Sequence, residues 1–89
     1  MPYIRIDKRL RFDRWIDNLT AELTSDGVDN ITGNLNYIIT KLFIKSKPKR
    51  YKDYNELIGV LECCKLEFYR RVIAEYEHSK KLENGDVYE

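Results

Sequence analysis

One histidine, one adjacent pair of cysteines and no apolar run near the ~20 residues of a membrane-spanning helix are what this chain has little of. His78 stands alone, and no second cysteine pair joins Cys63 and Cys64. Neither a zinc ligand set nor a Cys/His catalytic pair can be assembled from them. As helix neighbours the two cysteines would point about 100° apart, a poor geometry for a disulfide. There is no glycine-rich phosphate loop and no HExxH sequence. Only carboxylates are left, which a magnesium-dependent all-helical nucleotide hydrolase would gather in ExxE pairs. The nearest approach, Glu62 with Glu67, has the wrong spacing and faces two sides of a helix. No catalytic residue, metal or cofactor is assigned. The absence of a signal peptide and of a disulfide makes the reducing cytoplasm the expected location. Cys63 and Cys64 are expected to be small core residues.

Hydrophobic residues supply 43% of the chain and charged ones 35%, the balance of a folded soluble domain rather than a disordered one. With 89 residues there is room for one domain, 1–89, and no second core. A chain of this size buries only about 60–65% of its unfolded surface, so oligomerisation is a common supplement. The net charge of +1 gives no global pull toward duplex nucleic acid, which is not an expected partner. The charge is unevenly spread. Lys41, Lys45, Lys47, Lys49, Arg50 and Lys52 occur without an acid between them, whereas Glu75, Glu77, Glu83, Asp86 and Glu89 face only Lys80 and Lys81. A basic middle and an acidic end can steer self-association or an anionic ligand.

Apolar spacing predicts an all-α fold, a small bundle of three helices with a short extended arm over residues 1–8. Phe12, Trp15, Ile16, Leu19 and Leu23 recur at three and four, giving a first helix over about 10–25. Gly27 is free to take the left-handed conformation that ends it. Ile31, Leu35, Ile38, Ile39 and Leu42 carry a second helix over about 29–45, with Asp29 or Thr32 as its cap. Pro48 breaks the chain by forcing Lys47 out of helical geometry. A third helix follows over about 53–82, with Asp53 as cap and Glu56 completing a capping box. Residues 83–89 form a tail whose Val87 and Tyr88 are expected to fold back on an apolar surface.

The third helix is long for its partners. Nearly thirty residues span about 45 Å at 1.5 Å per residue, and the first two helices cover roughly half of that. Leu66, Tyr69, Ile73 and Tyr76 lie beside the Phe68–Val72 seam, so the helix is apolar on more than one side and asks for more than one cover. A homo-oligomer is expected, with the third helices paired parallel or crossed.

Candidate ligand contacts come from three stretches. In "ITGNLNYII", Asn34, Asn36, Tyr37 and Lys41 offer donors and acceptors suited to a base or sugar edge, although Asn and Gly are equally at home in a helix start. Around Pro48, Arg50 can hold a phosphate while Tyr54 stacks on a base, against the simpler reading of a solvated loop. In "LECCKLEFYRR", Glu62 with Lys65 and Glu67 with Arg71 fit intrahelical ion pairs. The stripe Glu62, Lys65 and Tyr69, with Arg70 and Arg71, also suits an inter-subunit pocket for a dianion or for a neighbour's acidic tail.

The opening "MPYI", the central "GNLNY", "GVLECCKLEFYRR" and the closing "ENGDVY" together resemble a family of short uncharacterised proteins of bacteria, archaea and their phages. The resemblance covers nearly the whole chain. Its motif positions are Asn34, Asn36, Tyr37, Gly59, Glu62, Lys65, Glu67, Tyr69, Arg70, Arg71, Tyr76, Glu77, Asn84, Gly85, Asp86 and Tyr88. The chain departs from the pattern at Cys64, where alanine is usual, and at Glu75, where proline is usual. Without that proline a straighter helix is expected. The resemblance names no reaction. The leading expectation is a non-catalytic, cytoplasmic, phage-associated homo-oligomer, paired through its third helix and tail, that binds or sequesters an anionic nucleotide-like molecule. The rival readings are a protein–protein interaction module without a small ligand, and the magnesium-dependent hydrolase.

Overall fold

A computed structural model describes residues 1–88, and every regular element among them is helical. The chain divides into two compact units, Tyr3–Tyr54 and Met1–Pro2 with the chain from Asn55 onward.

In the Tyr3–Tyr54 unit, helix α1 spans Ile6–Ser25. The extended arm ends at Arg5, sooner than residue 8, because nothing after Pro2 opposes helix until Gly27. The Arg5 carbonyl accepts from the amides of Lys8 and Arg9 at 3.0 and 3.1 Å, and Asp7 sits in the positive first turn. At the other end Ser25 Oγ donates to the Glu22 carbonyl at 2.8 Å. Gly27 then turns the chain at φ 94° and ψ 149°. Its φ is positive as expected, but its ψ lies in the mirror-extended region open only to glycine, outside the left-handed helical well.

A 3₁₀ turn over Val28–Asn30 leads into α2, Ile31–Lys45. Neither Asp29 nor Thr32 caps it: Asp29 is inside the 3₁₀ turn and Thr32 inside the helix, and no side chain caps Asn30. α1 and α2 pack across this corner. Leu23, Ile31, Ile38, Ile39 and Phe43 become half-buried, while Leu42, expected on the same face, stays 57% exposed.

Lys47, ahead of Pro48, takes a left-handed φ of 58°. α3 spans Tyr51–Phe68 and begins two residues earlier than expected, since Arg50 is its cap: the Tyr54 amide donates to the Arg50 carbonyl at 3.1 Å. Asp53 reaches back to the amides of Lys49 and Arg50 at 3.2 and 3.1 Å. It is therefore the acid of the capping box, the role expected of Glu56. Those amide bonds, Lys49's first, hold the Asp53 carboxyl below the usual carboxylate value of 3.8.

In the other unit the helical run does not continue regularly. A π-helical turn occupies Tyr69–Ile73, and α4 follows over Ala74–Asn84. The straighter helix expected from Glu75 is thus interrupted just before that residue. Gly85 ends α4 at φ 96° and ψ 152°, its amide bonded to the Lys81 carbonyl at 2.9 Å.

No described residue in either unit is fully buried. Cys63 and Cys64, expected in a core, are exposed free thiols, because α3 meets no covering helix in its own unit. Val87 and Tyr88, expected to fold back on an apolar surface, are 88% and 91% exposed. Glu89, counted in the acidic end, lies outside the described residues. No helix among the described residues is long and apolar enough to cross a membrane.

Candidate functional site

In the Tyr3–Tyr54 unit the candidate residues serve the corner between α1 and α2. Asn34 Nδ2 donates to Asp26 Oδ2 at 2.8 Å, and Asn30 Nδ2 donates to the Asp26 carbonyl at 2.7 Å. Asn34 is half-buried in this clamp, so the polar residue at the start of "GNLNY" ties α2 to the end of α1. Asp26 was missed as a functional partner. Its only signal is its place just before Gly27, which sends the following helix back toward it. Asn36 points elsewhere, accepting from Thr40 Oγ1 at 3.5 Å. Lys41 Nζ lies 5.9 Å from the Tyr37 ring centroid, on the exposed side of α2. An open groove of about 300 Å³ runs beside Leu19, Leu23, Asn34, Tyr37 and Ile38. Arg50 is engaged by Asp53, Nη2 to Oδ1 at 3.4 Å, which pins it to the start of α3 beside Tyr54.

The other unit holds the remaining candidates. Glu62 pairs with Lys65 at 3.1 Å as expected. Glu67 pairs with Arg70, Nη2 lying 2.9 and 3.1 Å from its two oxygens, rather than with Arg71 four residues on. The π turn is the reason, because it begins at Tyr69 and rotates Arg71 away from the position an α-helix would give it. Arg71 makes no ion pair among the described residues.

The same turn creates a contact that α-helical spacing hides. In a regular helix residues eight apart are offset by about 80° around the axis. The wider π turn takes up most of that offset and brings Glu77 into line with Tyr69. Tyr69 Oη donates a hydrogen bond to Glu77 Oε1. That bond, together with the charge of Glu77, raises the Tyr69 phenol above its ordinary 10.0. Glu77 was not among the expected ligand contacts, although it belongs to the motif positions.

Two open grooves flank this turn. One, of about 700 Å³, lies along α4 under the returning tail, with Tyr69, Glu77, Lys81, Asp86 and Tyr88 on its walls. Asp86 stands 3.9 Å from Lys81 and accepts the Tyr88 amide at 2.9 Å, which shapes the tail into a turn. The second, of about 430 Å³ and mostly apolar, lies between Met1–Pro2 and the α3 residues Cys63, Leu66 and Glu67, with Arg70 at its edge. Among the described residues no group of three or more His, Cys, Asp or Glu side chains is placed to hold a metal ion.

Exposed apolar side chains, surface ion pairs and open grooves characterise a small protein whose described regular elements are all helical. The chain belongs to the family described as a domain of unknown function, DUF6899, which matches residues 1–87. No curated protein and no solved structure matches it.

Proposed function

We propose that this protein is a non-catalytic helical module that works as a homo-oligomer, the apolar faces of its helices covered by further copies of itself. One observation carries the reading: 43% of the residues are hydrophobic, yet no described residue is buried within either unit. The smaller unit, two residues plus the run from 55, falls below the ~40 residues that sustain a core without disulfides, metals or a partner chain. Its cysteines are free rather than joined in a disulfide, which supports a partner chain as its cover. Phe68, Val72 and Tyr76 are all at least half exposed, a contiguous apolar surface of the sort that marks interfaces.

A second reading adds a ligand to the assembly: an anionic, nucleotide-like molecule held between copies. Arg71, a guanidinium without an ion pair among the described residues, favours it. The geometry favours assembly alone, because Arg50, Lys65 and Arg70 already hold acids of their own helix. Native mass spectrometry of gently purified protein separates the readings. An oligomer with no extra mass is the expected result, an oligomer releasing a nucleotide-sized mass selects the second reading, and a bare monomer overturns both.

A further inference from the structure

The apolar groove beside Leu66 and the bare tail have complementary needs that one copy cannot meet. The groove, about 430 Å³ between Met1–Pro2 and Cys63–Leu66, is lined almost wholly by apolar atoms. Val87 and Tyr88 are among the most exposed large hydrophobic side chains, at 88% and 91%. Leu66 and Gly85 are separated by about 25 Å of helical rod. From Gly85 to Tyr88 the chain reaches about 10 Å when fully extended, so the tail cannot enter the groove of its own copy.

We propose that the Val87–Tyr88 tail of each copy docks into the Met1–Leu66 groove of a second copy, the two helical rods lying antiparallel about a two-fold axis beside Tyr76 and Glu77. This rests on the homo-oligomer proposed above and names its contact. The antiparallel register places Gly85, where the helix ends, opposite Phe68, and from there the non-helical chain carries Val87 alongside Cys63–Leu66. It also places Glu83 opposite Arg70 and beside Arg71, a cation that makes no ion pair among the described residues. Glu83 is held in its own copy by Lys80 at 3.5 Å on an exposed surface, a contact of little strength that is readily exchanged. The same axis brings Tyr76 of one copy beside Glu77 of the other and Ile73 beside Lys80, whose stem covers apolar surface while its head stays in water. Such an isologous contact uses each groove and each tail once and closes at two copies.

The test uses the full chain with a photo-crosslinking phenylalanine analogue in place of Tyr88, mixed as equal parts of unlabelled and ¹⁵N-labelled copies. The expected products join a labelled copy to an unlabelled one, with the crosslinked peptide mapping to Cys63–Arg70. In parallel, Arg71→Glu is expected to weaken dimerisation about tenfold, and Glu83→Arg in the same chain to restore it. Crosslinks confined to α4 of the same copy, in protein that still forms an oligomer, overturn the tail docking and leave the homo-oligomer standing. A monomeric wild type at micromolar concentration removes both.

Discussion

The two units solve the same problem differently. Tyr3–Tyr54 folds α1 back against α2, and the corner at Gly27 lets Leu23, Ile38, Ile39 and Phe43 cover one another in part. The Asp26–Asn34 hydrogen bond fixes that corner with a polar contact. The unit built from residue 55 onward is one helical run beside Met1–Pro2, and it pairs side chains along its own axis: Glu62 with Lys65, Glu67 with Arg70, Tyr69 with Glu77. Axial pairs order a surface; they do not bury one. The first unit therefore half-buries part of its apolar surface from within, and the second leaves Phe68, Val72 and Tyr76 at least half exposed.

The difference is sharpest in how truncations respond to protein concentration. Phe43→Ala is expected to lower stability by about 2 kcal/mol, below the 3–5 kcal/mol of a fully buried phenylalanine because Phe43 is half-covered. Urea unfolding should give the same loss at 1 and at 50 times a low working concentration. Phe68→Ala, at a side chain 59% exposed in one copy, is expected to cost as much only where copies associate, so its loss should shrink on dilution. Equal behaviour of the two variants would dissolve the contrast between the units.

A smaller effect belongs to the corner. Asp26→Ala and Asn34→Ala are each expected to cost about 1 kcal/mol, with a coupling of about half that in a double-mutant cycle. Additive losses would mean that the 2.8 Å contact contributes nothing to holding α2 against α1.

The smallest effects lie at the pH extremes. The Asp53 carboxyl is lowered from 3.8 by its bonds to the Lys49 and Arg50 amides, so its contribution is present above that value and fades as pH falls through the lower folded value. Tyr69 is raised above 10.0 by Glu77, so its contribution is present below pH 10.0 and fades as pH rises through the higher folded value. Asp53→Asn should flatten only the acid limb of a thermal-stability profile, and Tyr69→Phe only the alkaline limb. A profile that moves at both ends in either variant would link the two units through something other than these bonds.

Helix content was legible because its signals are local. Apolar residues at three- and four-residue intervals, Gly27, Pro48 and Gly85 mark where helix runs and stops, and the structure places its breaks at those residues. Boundaries shifted by a few residues where a cap was misassigned: the motif "KRYKD" lets Arg50 begin α3 and Asp53 close the box, one turn before the Asp53–Glu56 pair suggested by spacing alone. The candidate contacts were only partly legible. Asn34 was expected to contact a ligand or begin the helix, and it bonds to Asp26, a residue eight positions away that becomes a neighbour only when Gly27 turns the chain. Glu77 was hidden for a related reason. A strict 3.6-residue period keeps it away from Tyr69, and the π turn that aligns them adds no residue type by which it can be recognised.

The sequence by itself determined an all-helical chain of one charge balance, with its breaks and its surplus of apolar surface, because periodicity, glycine and proline act within a few residues. Only the tertiary structure decided which of those polar groups meet: Asn34 with Asp26, Arg70 rather than Arg71 with Glu67, and Tyr69 with Glu77. Those pairings depend on the angle at a corner and on the winding of a single turn, quantities that the order of residues sets only through the geometry of the folded chain.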